Sequence, residues 1–148
     1  MPSTTITVGD LLYDVTVQIT KTTEYGVSFE ALMAGQMSPP PEGARFDNAF
    51  EGVSRGPKLK GTISGSDYIH IRADGRVQLH FHAELTTEEG EKIAAFGEGV
   101  TTPENQVRHN VTLTTASPAY SWVNHLQVWD IGTFDPAKNE VSFKGYAA

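Results

Sequence analysis

Hydrophobic and polar residues alternate at every second position through most of this chain, a pattern typical of β-strands that bury one face. The clearest example lies between the Asp74-Gly75 and Glu89-Gly90 turns. Its two rows of side chains are Val77, Leu79, Phe81, Ala83 and Leu85 on one face and Gln78, His80, His82 and Glu84 on the other. Similar runs along the chain predict about eight to ten short strands, which favours an antiparallel barrel or sandwich.

The predicted strands are separated by turn residues. They cover residues 11–20, 25–32, 45–53, 58–64, 68–72, 77–87, 92–101, 106–115, 122–131 and 140–146. The Asp74-Gly75 pair between two alternating runs predicts a β-hairpin. Three consecutive prolines at 39–41 cannot lie inside a sheet and predict an exposed loop. The segment 118–126 has room for one helical turn.

Composition narrows the class of protein. A chain of 148 residues suits one domain, residues 1–148. The formal net charge of −7 argues against nucleic acid or an anionic membrane as partner, since both need a basic patch. The absence of cysteine excludes disulfides, thiolate nucleophiles and cysteine zinc sites. With no signal-peptide pattern and no long apolar run, a soluble cytoplasmic protein is expected.

Several short motifs occur in an order that is specific when they are taken together. They are a Gly-Pro-basic-Leu-basic-Gly start, an Asp-aromatic pair, an Asp-Gly turn, a long strand ending in Thr, and an acidic-Gly turn. In this sequence they fall at 56–61, Asp67-Tyr68, Asp74-Gly75, 79–87 and Glu89-Gly90, with Gly43-Ala44-Arg45 before them and 118–124 after them. Over roughly residues 11–146 the chain thus resembles the family catalogued as domain of unknown function 3237.

The resemblance implies a small closed antiparallel β-barrel, loosely like lipocalins and allene oxide cyclases. A barrel of about eight strands can hold one small ligand. The family supplies an architecture but no reaction. At the position where the family is expected to have Arg, this chain has His82. The exchange replaces a permanent cation with a group that titrates near neutrality, which makes proton transfer more plausible.

The row of His80, His82 and Glu84 has two interpretations. It faces the lumen if the barrel interior is polar, and it faces water if the apolar row packs inward. Tyr68 and His70 on the paired strand form a second polar and aromatic row, which supports a polar lumen. The apolar rows would then face a partner subunit, and a homodimer or another homo-oligomer is expected.

The first functional hypothesis is a cofactor-independent lyase or isomerase acting on a small, largely apolar, oxygenated substrate in the barrel. In this hypothesis His82 moves the proton, Asp67 or Glu84 orients its imidazole, and Arg45 steadies developing negative charge. The candidate substrate-binding residues are His70, His80, Glu84, Tyr68, Tyr120, Trp122 and Asn124. The loop at 33–46, with glycines as hinges, is a candidate lid.

Two alternatives remain at this point. The same cavity suits a non-catalytic binding protein for a small hydrophobic ligand. A His-x-His pair on a strand is also similar to the cupin metal motif, with His125 as a third ligand, although the spacing fits poorly. We therefore expect no metal and no cofactor.

Overall fold

Eight antiparallel strands follow one another in chain order and close into a barrel, because β8 pairs back onto β1. This computed structural model describes residues 3–148. The strands are β1 (Leu11–Glu24), β2 (Ala44–Arg55), β3 (Lys60–Ile71), β4 (Val77–Thr87), β5 (Lys92–Thr101), β6 (Gln106–Thr114), β7 (Val128–Asp135) and β8 (Glu140–Ala147). The closed antiparallel barrel implied by the family resemblance is therefore confirmed.

The alternating pattern determines which side chains enter the barrel. On β4, Leu79, Phe81 and Leu85 are buried in the lumen, whereas His80 and His82 are exposed. The imidazole row therefore faces solvent, the second of the two interpretations. The apolar rows point into the barrel and do not face a partner subunit. The oligomeric state therefore stays a prediction.

The predicted strand at 25–32 is wrong. Gly26 adopts a positive φ of 87° just after β1, and Ser28 then caps a short helix, α1 (Phe29–Met33), by accepting a hydrogen bond from the Ala31 N–H. The segment from α1 to β2 contains the three prolines and has no regular strand, as predicted.

Two predicted strands, 58–64 and 68–72, form the single strand β3. Gly65 does not interrupt it. A Cβ atom at Gly65 would lie 2.1 Å from the His82 carbonyl oxygen, so glycine lets β3 and β4 approach closely. The predicted strand at 122–131 likewise starts later, at Val128, because residues Pro118–His125 form a 3₁₀ helix.

The two ends of the barrel are covered by different elements. At one end, α1 packs Leu32 against Phe46 and Ile71. At the other end, the 3₁₀ helix inserts Val123, which is fully buried among core residues such as Leu12 and Val128. No helix of residues 3–148 is long and apolar enough to cross a membrane.

Candidate functional site

A cavity occupies the half of the barrel beneath α1. The centre of a water molecule can move through about 70 Å³ of it, several times the roughly 10–15 Å³ that one water needs. The residues lining it are Val17, Ile19, Phe29, Met33, Asn48, Phe50, Ile63, Asp67, Ile69, Val77, Leu79, Phe81, Thr101, Val107, His109, Phe134, Val141 and Phe143. Most are apolar, and neither lysine nor arginine is among them. A small, mainly apolar molecule fits such a space.

Four polar side chains line this apolar space, namely Asn48, Asp67, Thr101 and His109. Asn48 on β2 and Asp67 on β3 are direct cross-strand partners, so their side chains lie next to each other. His109 projects from β6 and contacts the ring of Phe81, with ring centroids 4.8 Å apart. The cavity therefore combines a carboxyl, an amide and an imidazole with the hydroxyl of Thr101.

Asp67 is partly buried at a break in the β3–β4 pairing. The ladder runs to Asp67 and Phe81 and resumes at His70 and Gln78. Within that break, Asp67 Oδ1 accepts a hydrogen bond of 3.0 Å from the His80 backbone N–H. Burial raises the pKa of the Asp67 carboxyl above its ordinary value, although this hydrogen bond and a positive charge on His109 act in the opposite direction. Asp67 is thus suited to hold a proton.

His109 belongs to a buried chain of hydrogen bonds. Its Nδ1 lies 2.9 Å from Oδ2 of Asp130, and Oδ1 of Asp130 accepts a 2.5 Å hydrogen bond from the Tyr13 hydroxyl. Burial, followed by the charge of Asp130, raises the pKa of Tyr13 well above its usual value, so Tyr13 remains a donor. If Nδ1 of His109 donates to Asp130, Nε2 is the ring nitrogen left to exchange a proton with a ligand.

Asn48 has an unusual environment for an amide. Its side chain is 2% exposed, and no group in residues 3–148 hydrogen-bonds to either Oδ1 or Nδ2. A buried polar group left without a partner costs about 1–3 kcal/mol. This cost makes Asn48 a poor choice for stability alone.

Of the residues predicted as catalytic, the structure places only Asp67 in the cavity. His82 lies on the outer face, where its ring contacts His80 and Phe96 with centroids 5.2 Å and 5.1 Å apart. The side chain of Arg45 is 54% exposed and lies 3.5 Å from Asp47. Neither His82 nor Arg45 can reach a ligand inside the barrel.

The residues predicted to bind substrate also lie outside the cavity. Tyr68, His80 and Glu84 are on the outer face, and Glu84 forms an ion pair with Lys92. His70 points outward and packs beneath Gly43, where a Cβ atom would lie 2.4 Å from its Nε2. Their proposed contacts with a substrate in the lumen are not consistent with these positions.

The last three predicted binding residues lie on the 3₁₀ helix at the opposite end of the barrel. The Tyr120 hydroxyl donates a 2.7 Å hydrogen bond to Glu89, and Trp122 is 40% exposed. Asn124 accepts from the Thr115 N–H and donates to the Thr115 carbonyl, each at 2.8 Å. Asn124 therefore fastens the helix to the end of β6.

Within residues 3–148, no group of three or more His, Asp or Glu side chains is arranged to hold a metal ion. His125, considered as a third ligand, is on the 3₁₀ helix, whereas His80 and His82 are on the outer face of β4. The cupin-like arrangement is therefore not formed by these three histidines.

The polar residues of the cavity that sequence reasoning missed share one signal. His109 stands in the row Val107, His109, Val111 and Leu113, and Asn48 stands between Phe46 and Phe50 at the same period. Asp130 likewise follows Val128 on the inner face of β7. A polar residue within an otherwise apolar row marks a group that the fold places in the lumen.

Comparison with known proteins supports the architecture. The family model described as protein of unknown function, DUF3237, matches residues 12–110. No curated protein matches the sequence significantly.

Solved structures share the barrel at low sequence identity. A β-barrel-like protein from Acinetobacter baumannii AYE is 18% identical, with a TM-score of 0.77 over 99% of this chain and 98% of that chain. A protein of unknown function from Clostridium acetobutylicum is 18% identical, with a TM-score of 0.76 over 93% and 96%. A protein described as an enzyme, from Penicillium herquei, is 19% identical, with a TM-score of 0.65 over 98% and 99%. At such identities the likeness concerns the fold alone.

Proposed function

Since the chain belongs to the family described as protein of unknown function, DUF3237, and that description names no reaction, we propose a function from the chemistry of the cavity. The protein is a cofactor-independent lyase or isomerase that moves protons on a small, largely apolar, oxygenated substrate. The observation that carries this proposal is the presence of two titratable groups, Asp67 and His109, in the lining of one apolar cavity. That one distant structural relative is described as an enzyme is compatible with it.

His109 is the proposed base. The Asp130 carboxylate fixes the ring through Nδ1 and stabilises the imidazolium that forms when Nε2 takes a proton. The Tyr13 hydroxyl supplies a second hydrogen bond to the same carboxylate, which keeps Asp130 in place. These two residues act through His109 and are positioning residues.

Asp67 is the proposed acid. In the proposed step, Nε2 of His109 removes a proton from the carbon next to a carbonyl group, and the C–H electron pair moves towards the carbonyl. The raised pKa of Asp67 allows its carboxyl to donate a proton to the carbonyl oxygen, or to a hydroxyl that leaves as water. In an isomerisation, the imidazolium of His109 then gives its proton to a carbon of the enol, and the Asp67 carboxylate takes back the enol O–H proton. In a dehydration, water leaves and the imidazolium proton passes to the Asp67 carboxylate, so that both groups regain their starting states.

The absence of lysine and arginine from the cavity lining explains why an acid is required. A fixed cation, the role first considered for Arg45, is not present to stabilise a developing oxyanion. Protonation by Asp67 removes the charge instead, which suits an apolar space where an isolated ion is costly.

Hydrogen–deuterium exchange tests this proposal without knowledge of the natural substrate. Cyclooctanone is incubated with the protein in D₂O, and deuterium incorporation next to the carbonyl is followed by NMR. We expect exchange above the buffer rate, and we expect His109→Gln and Asp67→Asn to lower it by about 100-fold, the lower end for general acid–base catalysis. His82→Gln, on the outer face, is the matched control and should exchange at the wild-type rate.

Three results would contradict the proposal. They are exchange no faster than in buffer, exchange unaffected by His109→Gln, and exchange lost in His82→Gln. If cyclooctanone binds in the cavity without exchange, the alternative of a non-catalytic protein that binds small hydrophobic molecules is favoured instead.

A further inference from the structure

Asn48 combines burial with unused hydrogen-bonding groups. Phe46 and Phe50 flank it on the inner face of β2, and its own side chain lines the cavity. The amide offers one donor group and one acceptor, and no protein group in residues 3–148 pairs with either. The partner of this amide is therefore a molecule in the cavity, either a ligand or a water that a ligand displaces.

We infer that Asn48 is a specificity-determining residue that recognises an uncharged oxygen function of the ligand, a ketone or an alcohol on an apolar skeleton. Its Nδ2 donates to a carbonyl or hydroxyl oxygen, and its Oδ1 accepts from a hydroxyl. This inference rests on the proposed function for the identity of the site, but it concerns binding and not turnover.

The position of Asn48 relative to Asp67 indicates where the bound oxygen of the ligand lies. The two residues face each other in the β2–β3 register, at which side chains are about 4.5–5.5 Å apart at Cβ. An oxygen held by Asn48 is therefore within reach of the Asp67 carboxyl. The amide would place the ligand oxygen where Asp67 can protonate it.

The charge of the cavity limits the ligand class further. Its lining contains the Asp67 carboxyl and no lysine or arginine. A carboxylate or phosphate ligand would enter an apolar space without a fixed cation and next to a group of the same sign when ionised. Neutral ligands are therefore selected over anionic ones.

Binding of a matched series tests the inference. The full chain is titrated by ¹H–¹⁵N NMR with cyclooctanone, cyclooctanol, cyclooctane and cyclooctanecarboxylate. Wild type should bind the ketone and the alcohol more tightly than the hydrocarbon, and the carboxylate least. Asn48→Leu should reduce the ketone-to-hydrocarbon affinity ratio by about 3- to 10-fold, as expected for one neutral hydrogen bond, while its melting temperature stays the same or rises.

Two further variants separate recognition from packing. Val77→Ala removes an apolar contact in the same cavity and should weaken ketone and hydrocarbon together. Asn48→Ala should lower the ratio as Asn48→Leu does, even if the larger side chain impairs folding. An unchanged ratio in both Asn48 variants, or a carboxylate that binds as tightly as the ketone, would overturn the inference. Because these are affinities, they stand apart from the exchange measurement, which tests the proposed chemistry.

Discussion

Asn48, Asp67 and His109, which all line the cavity, differ in how their neighbours support them. His109 is hydrogen-bonded to Asp130, and one carboxyl oxygen of Asp67 accepts a hydrogen bond from the His80 N–H. The side chain of Asn48 has no hydrogen-bond partner within residues 3–148. Groups that are fully paired specify a structure, whereas unpaired buried groups are a cost to stability and are concentrated at functional sites. The residues with unused hydrogen-bonding capacity are therefore the ones that we assign to the ligand.

At the residue scale, the raised pKa of Asp67 predicts how the stability of the fold depends on pH. The carboxyl titrates near its ordinary value of 3.8 when unfolded and at a higher pH when folded. Between those two values the folded state binds more protons, so stability falls as pH rises through this window. Asp67→Asn keeps the acceptor for the His80 N–H but removes the titration. Its stability relative to wild type should therefore be greater at pH 7 than at pH 4, as measured by urea midpoints.

Asp74 provides a control of the opposite sign. The Arg76 backbone N–H is the main cause that lowers the pKa of this exposed carboxyl. Its stabilisation is present above the unfolded value of 3.8 and is lost as pH falls below it, so Asp74→Asn should lose stability relative to wild type as pH rises through that value. An Asp67→Asn variant with the same trend as Asp74→Asn would show that Asp67 is not protonated more readily in the folded protein.

At the scale of elements, the 3₁₀ helix allows a structural role of Asn124 to be distinguished from a role in ligand binding. Asn124→Ala removes two hydrogen bonds that join this helix to Thr115, at about 0.5–1.5 kcal/mol each. We expect a lower free energy of unfolding and unchanged affinity for cyclooctanone. His125→Ala, an exposed residue on the same helix, is the control and should change stability less. Reduced affinity in Asn124→Ala without loss of stability would favour the substrate contact predicted from sequence.

The strands could be predicted from sequence because their alternation directly reports burial, as on β4. Strand boundaries were predicted wrongly where one residue type is compatible with two local structures. Gly65 lies between two predicted strands but permits close packing within one, and Ser28 begins a helix inside the predicted strand at 25–32. The site was harder to predict, because the clustered histidines of β4 lie on the outer face and not in the lumen. His109 and Asn48 are single polar residues in apolar rows, and only the closed barrel shows that they line the same cavity.

At the scale of the whole molecule, the barrel is asymmetric along its axis. One end holds the 3₁₀ helix with the buried Val123, and the other end holds α1 over the cavity. The candidate lid at 33–46 overlaps this cover only in part, since Met33 lines the cavity while residues 44–46 belong to β2. Phe29 is the larger covering side chain, packed edge-on against Phe46 at 4.9 Å. A ligand is thus expected to enter past α1.

This asymmetry predicts which end controls exchange of a ligand. Phe29→Ala opens the mouth, so it should raise both the association and dissociation rates of N-phenyl-1-naphthylamine, a neutral dye, in stopped-flow fluorescence. The equilibrium constant should change less than either rate, because a cover alters the path more than the end states. Trp122→Ala at the opposite end should leave both rates unchanged. Faster exchange in Trp122→Ala with no effect of Phe29→Ala would place the entrance at the 3₁₀ helix instead.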